Sequence, residues 1–445
     1  MIAPHKGIMV LTGFMLVSCD TPFTPRPSEN EALFRLEATY TGESRLIHKI
    51  PVTLTWSEVP IEDFSGYKIY RAVMEEGVEI WEQRSEISNP LQVSYVDTID
   101  DDRTFRYRVR IEDAEGNFRA AETDPLVFST THLVIPDDME SIQEAYDSPF
   151  MDSGDTLWVG PGTYGDDYRF MDKDVVIQST HGRDETVLER GGTVVTMGQG
   201  TMKGFTVRRG RVFLSGSAIL DDCVITGVRV AGDPSPVTVT DYAEIRNCLV
   251  TGNEITNLMG MGGDGGGMTV QDFATVRNCR IAHNRTTERG GGLSVSGQPT
   301  ITNTIMDHNY AAKGGGGILV NSPSLPTLIN CVVYANRSGL MNGNRGGVFL
   351  EKGSVPIRNS ILWNNSGDHP WWTWSAATYS DIQGHSGGTG NINLAPRFVD
   401  PKGGDFHLSP DSPCVDAGHP GDDYRDVDGS RNDMGAHGGP LGQWP

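Results

Sequence analysis

The chain has 445 residues, 54 of them glycine, with 37% hydrophobic content and a formal net charge of −22. That length allows two or three domains, and a lean core with abundant glycine suits a solenoid, which is long, thin and rich in turns. The charge argues against nucleic acid, which needs a basic footprint, and disfavours bare polyanionic sugars such as pectate unless a bound cation bridges the two.

Residues 1–19 have the layout of an export signal. His5 and Lys6 form a short basic end, and Ile8 to Val17 is an apolar run too short to cross a bilayer as a helix. Leu16-Val17-Ser18-Cys19 resembles a bacterial lipobox, which implies a diacylated Cys19 as the mature N-terminus. An ordinary cleaved secretory signal is the alternative. Asp20 resembles an inner-membrane retention signal of enteric-type bacteria, so inner and outer membrane both stay open. Residues 20–31, with Pro22, Pro25 and Pro27, form a Pro-rich tether. The expected location is the cell envelope, on the periplasmic face or the cell surface, with the lipid as the only membrane contact.

From 32 to 130 the rhythm is that of half-buried strands: Val52, Leu54 and Trp56 alternate, as do Phe105, Tyr107, Val109 and Ile111. Turn residues at Pro60, Gly66 and Glu115-Gly116-Asn117 punctuate them, which suggests a β-sandwich. The stretches VTLTW, GYKIYR, YVDT and FRYRVRIEDAEGN resemble a fibronectin type III domain, with Trp56 as its core tryptophan. Such a domain serves here as a spacer.

Residues 131–412 are expected to form a right-handed parallel β-helix with an N-terminal cap. Asp137 or Asp138 can cap a short helix presenting Ile142, Ala145 and Tyr146 on one face. Such a helix would shield the open end of the first coil. Further on, one pattern recurs at Asn247, Asn278, Asn303, Asn330 and Asn359 (NCLVTGN, NCRIAHN, NTIMDHN, NCVVYAN, NSILWNN), after a degenerate copy at Asp222. The starts are separated by 25, 31, 25, 27 and 29 residues. Glycine runs leading into strands share the period, at Gly265, Gly290, Gly315 and Gly346. Two signals with one period mean a repeat architecture, and no unit has the length a helical repeat needs. Coils of strands and turns stack at about 4.8 Å, which predicts roughly ten coils over a length of about 50 Å. Asn247, Asn278, Asn303, Asn330 and Asn359 are expected to form a structural amide ladder. Cys223, Cys248, Cys279 and Cys331 are expected as buried free thiols, because parallel in-register Cβ atoms stand farther apart than a disulfide prefers.

The stretch SIQEAY…SGDTLWVGPGTY resembles the N-terminal entry of pectin-lyase-like β-helix proteins. From Tyr379 onward the chain resembles a recurrent terminal module of exported bacterial β-helix proteins, and 413–445 is expected to close the far end of the solenoid.

Three groups could carry chemistry. Asp264, Arg289 and Lys313 precede successive glycine runs, while His283 and His308 share one repeat position, with Glu254 and Glu288 in the same loops. An acid, bases and cations brought together would suit proton abstraction from a uronate or acid–base glycoside chemistry, and pectin-lyase-like enzymes use a lateral groove of this kind. Trp371, Trp372 and Trp374 could stack on sugar rings. Asp426, Asp428 and Asp433 could bind Ca²⁺, although EF-hand spacing fails at Arg431 and His437. The expected work is to bind or organise extracellular polysaccharide or a surface partner. A polysaccharide lyase or glycoside hydrolase, and a stalk without ligand, are the alternatives.

Overall fold

The computed structural model describes residues 36–443 apart from 41–49, 58–62, 76–77, 100–103, 125, 128–131, 137–138, 149–150, 233–234, 258–262, 322, 340–345, 353–354, 367–375 and 386. The export signal with Cys19, the tether, and Trp371, Trp372 and Trp374 lie outside the described residues. The chain divides after Met151 into two compact units.

In the first unit, β1 (Leu36–Tyr40), β2 (Ile50–Trp56) and β5 (Ser94–Ile99) form one antiparallel sheet, in the order β1-β2-β5. The other sheet contains β3 (Phe64–Glu75), β4 (Val78–Ile87), β6 (Thr104–Asp113) and β7 (Phe118–Glu122), in the order β4-β3-β6-β7. The period-two pattern has its expected consequence. Leu54 and Trp56 from one sheet meet Phe105, Tyr107, Val109 and Ile111 from the other in a single core. Buried Asp97 lies against that core and would be costly alone. It accepts from the Tyr107 hydroxyl at 2.8 Å and pairs with Arg71 at 3.1 Å and Arg84 at 3.4 Å. Farther along is α1 (Ile142–Asp147), with Ile142, Ala145 and Tyr146 buried as anticipated. Its N-cap is Ser141 rather than Asp137 or Asp138, since the Ser141 hydroxyl accepts from the Glu144 N–H one turn in.

The second unit is a parallel β-helix. One face stacks ten strands, from Thr156–Val159 to Ala377–Thr378, all paired in parallel. Regular coils add three further short strands. The coil from 275 to 295, for example, passes through Thr275–Arg277, Arg280–Ala282, Arg285–Thr286 and Leu293–Val295. These define the first, second, third and fourth faces. The second and fourth faces are joined at one end, because Thr206–Leu214 pairs with both Val224–Thr226 and Val237–Val239. Before the fourth face the chain runs against the next coil: a Cβ on Gly291 would lie 2.5 Å from the Gly316 carbonyl oxygen. That contact explains the glycine runs.

Cys223, Cys248, Cys279 and Cys331 are free and buried, each thiol donating to the carbonyl two residues back at 3.0–3.4 Å. Thr304 and Ser360 occupy the same row and make the same bond at 2.8 Å. The row thus selects for a small side chain that can donate. Burial pushes the Cys331 thiol up to about 12, and those of Cys223 and Cys248 well above the ordinary value.

The amide ladder belongs to different asparagines from those expected. Asn247, Asn278, Asn303, Asn330 and Asn359 turn the corner between the first and second faces with φ between 45° and 53°. This is the left-handed conformation that asparagine tolerates better than other non-glycine residues. The ladder is formed by the last residue of each copy, at the corner between the second and third faces. There the Asn253 Nδ2 donates to Asn284 Oδ1 at 3.0 Å, Asn284 to Asn309 at 3.1 Å, Asn309 to Asn336 at 3.0 Å and Asn336 to Asn365 at 3.0 Å. Each Oδ1 also accepts the backbone N–H of the preceding asparagine, as from Asn284 to Asn309 at 2.9 Å.

The C-terminal segment, expected to close the far end, packs along the flank. Its hairpin, Phe398–Asp400 with Asp405–Leu408, and Cys414, Met434 and Ala436 cover the outward-facing Ile305, Val332 and Ile361 of the second face. The corner asparagines fasten it: the Asn303 Nδ2 donates to the carbonyls of Ala436 and Gly438, and that of Asn330 to those of Asp433 and Gly435.

These two asparagine rows are expected to respond differently to substitution. Asn309→Leu strands the Asn284 N–H and the Ile281 carbonyl, and should cost about 3 kcal/mol or more in chemical denaturation. The Asn278→Gly change leaves a left-handed corner with its preferred residue and should cost less than about 1 kcal/mol.

Candidate functional site

The third face is where unlike side chains come into register. Its strands are Arg229–Ala231, Glu254–Thr256, Arg285–Thr286, Tyr310–Ala311 and Arg337–Ser338, stacked in that order. Alternation sends the first residue of each outward, so Arg229, Glu254, Arg285, Tyr310 and Arg337 form one row. Two residues further along, the outward positions are small: Ala231, Thr256, Thr287, Ala312 and Gly339. A strip of little side-chain bulk therefore runs along the face beside a row of long ones, and the Tyr310 hydroxyl lies over its last member, 2.7 Å from where a Cβ on Gly339 would stand. The Arg285 guanidinium lies 4.2 Å from the centroid of the Tyr310 ring and 3.6 Å from the Glu254 carboxylate.

The five acid–base candidates divide between the two margins of this face. Arg289 and Lys313 flank it on the loop side. Arg289 holds Asp264 through two guanidinium nitrogens, at 2.6 and 3.3 Å, and also pairs with Glu351. The Lys313 Nζ donates to both oxygens of Glu288 at 2.7 Å. These charges are spent on each other, so the loop ladder is a set of ion pairs rather than free acids and bases.

His283 and His308 stand on the opposite margin, at the corner leading into the third face. Both have positive φ, 57° and 54°, and their rings stack with centroids 5.1 Å apart. Asp307, fully buried, accepts from His308 Nδ1 at 2.9 Å and takes both Arg280 nitrogens at 2.9 Å. Burial pushes the Asp307 carboxyl up, but the bonds from His308 and Arg280 outweigh it and hold it below its ordinary value. With Nδ1 committed to the carboxylate, His308 Nε2 is left to accept or deliver a proton. Partial burial, together with the charge of Arg280 and the neighbouring His308, keeps the His283 imidazole below its ordinary value despite Asp307. Asp307 and Arg280 escaped the sequence reading. The signal was an acid directly before the histidine and an arginine opening the same strand one coil earlier.

The Asp426, Asp428 and Asp433 carboxylates do not converge as a Ca²⁺ site. Asp426 accepts from the backbone N–H groups of Asp433, at 3.0 Å, and Gly439. Asp428 accepts from the Ser430 N–H and hydroxyl, at 2.9 and 2.6 Å, and Asp433 from the Asp416 N–H at 2.7 Å. They tie off turns. Among the described residues, the one group of three or more His, Cys, Asp or Glu side chains with ligand atoms within 4.8 Å of one another is His283, Asp307 and His308. Arg280 already occupies both Asp307 oxygens, so that trio fits proton handling better than metal binding.

A family model described as a right-handed β-helix region matches residues 209–384. No curated protein matches the chain. Among solved structures, a pectate lyase from Erwinia chrysanthemi in complex with tetragalacturonic acid is similar at 11% identity, over 72% of this chain and 92% of that one, with a TM-score of 0.17. A pectate lyase from Pectobacterium carotovorum is similar at 11% identity, over 77% and 88%, with a TM-score of 0.16.

Two carboxyls at the contact between the coils and the C-terminal segment give the molecule a pH signature. Burial pushes Asp433 up to about 6 and Asp381 likewise to about 6, although the Leu394 N–H and the Cys414 thiol bond the latter. Below the ordinary carboxylate range both states are protonated and nothing is lost. As pH rises from about 4 through about 6 the unfolded chain ionises first, so stability falls and stays lower above that window. Asp381→Asn should flatten the fall by on the order of 2 kcal/mol, read as unfolding free energy at pH 4 to 7.

Proposed function

We propose that the protein is an exported, lipid-anchored surface protein whose β-helix binds extracellular polysaccharide along its third face. The observation that carries this reading is the strip of small residues flanked by arginines and a tyrosine on one side and by paired loop charges on the other. An extended chain can lie against such a strip from Ala231 to Ala312, beyond which the Tyr310 hydroxyl lies over Gly339. Long polar side chains beside it can reach sugar hydroxyls and ring faces. The first unit serves as a fibronectin type III spacer; its sheet orders, β1-β2-β5 and β4-β3-β6-β7, support that assignment. Export and anchoring rest on the signal at residues 1–19 and the lipobox-like approach to Cys19.

A second reading, cleavage of the bound glycan, is favoured by the Asp307–His308 pair at the corner beside the arginine and tyrosine row. That pair orients an imidazole as a general base or acid.

A glycan array followed by turnover assays separates the two readings. Binding is expected without the rise in ultraviolet absorbance that unsaturated uronates give and without release of reducing ends. Turnover that is lost in His308→Ala, with binding retained, would establish the second reading, and absence of binding to any glycan would remove both. Cys19→Ala is expected to move the protein from the membrane fraction to the soluble one, and unchanged fractionation would overturn the lipid anchor.

A further inference from the structure

We infer that the third face takes an extended acidic glycan whose charges recur at the length of a disaccharide. This rests on the glycan-binding reading of that face.

The chain as a whole has 58 acidic residues against 36 basic ones. The outward row reverses that balance, with Arg229, Arg285 and Arg337 against the single carboxylate of Glu254. Arg229 and Arg337 are exposed and have no ion-pair partner among the described residues. Arg285 is half-exposed, and its contact with Glu254, at 3.6 Å, is long. On the preceding coil Arg208 and Arg209 share one carboxylate, that of Glu189, at 3.1 and 3.2 Å. Cations thus gather along one flank of a strongly acidic molecule. There they raise the local concentration of anionic ligands against the repulsion of the rest.

Spacing sharpens the choice. The pairing places Arg229, Arg285 and Arg337 on alternate coils, with Glu254 and Tyr310 between them. Successive coils rise by about 4.8 Å, so the arginines recur at about 10 Å. One coil is comparable to one pyranose of an extended chain, and two coils to a disaccharide. A carboxylate or sulfate on every second sugar would meet a guanidinium each time, in the bidentate geometry that arginine offers to both groups. The intervening sugar would lie opposite Glu254 or Tyr310, where an uncharged ring with hydroxyls is accommodated and a second anion next to Glu254 is not.

The test uses the full-length protein and four probes: hyaluronan, κ-carrageenan, polygalacturonate and a neutral β-glucan, each titrated by calorimetry with and without EDTA. Hyaluronan carries a carboxylate on every second sugar, κ-carrageenan a sulfate on every second sugar, and polygalacturonate is charged on every sugar. The expected result is tighter binding of hyaluronan or κ-carrageenan than of the other two, unaffected by EDTA. Which of the first two binds better tells carboxylate from sulfate. The pair of exposed changes R229E and R337E should weaken that binding by about tenfold or more while leaving the thermal midpoint in place. Arg229→Gln with Arg337→Gln, a milder pair, should weaken it less. Preference for the neutral glycan or for polygalacturonate, loss of binding in EDTA, or full affinity after charge reversal would each overturn the inference and leave the glycan-binding reading standing. Failure of all four probes to bind would overturn the inference, and the glycan array then decides whether the glycan-binding reading falls with it.

Discussion

Backbone that turns a corner inside a protein must find partners for its N–H and C=O groups, and here the row from Asn253 to Asn365 supplies them. Each side chain accepts a backbone N–H from the coil before, passes its own amide protons to the coil after, and reaches back to a carbonyl such as that of Ile281. An unpaired group at such a depth costs about as much as a bond removed. The ladder therefore fixes the chain path at every pass and holds the coils in register. Register in turn makes every outward position a row, so that any chemistry on this surface is chemistry of rows.

The rows divide the surface by task. On the second face the outward row is apolar at Ile305, Val332 and Ile361 and is spent on holding the C-terminal segment. On the loop side, opposite charges cancel in pairs. The third face combines small residues with long polar ones, and its margin carries the buried Asp307 that orients His308. A carboxylate so placed is tolerable because Arg280 neutralises it with two bonds.

Much of this was legible in the chain. Period-two alternation located the sandwich strands, the shared period of asparagines and glycines located the coils, and the burial of Ile142, Ala145 and Tyr146 followed from their spacing. What could not be read was which of the two asparagines in each copy laddered. Both recur with the same period, and they differ in backbone conformation: Asn278 has φ of 51°, whereas Asn284 is absent from the positive-φ positions. Likewise Arg229, Arg285 and Arg337 are separated by gaps that vary with loop length, so their alignment emerges only once strand register is known. Cys223, Cys248, Cys279 and Cys331 were legible as buried free thiols, but the task they share with Thr304 and Ser360, a bond to the carbonyl two residues back, is a matter of side-chain geometry.

The flank-covering segment follows in the chain the coils that it covers, and this sets a sequence of events in time. A polypeptide that emerges N-terminus first completes the coils bearing Ile305, Val332 and Ile361 before Phe406, Met434 and Ala436 exist to shield them. Through that interval a strip of bare aliphatic side chains is displayed on the folded coils, and such transiently exposed surface is where nascent chains associate. Synthesis of this molecule therefore has a vulnerable stage after the coils form, and chaperone engagement belongs there.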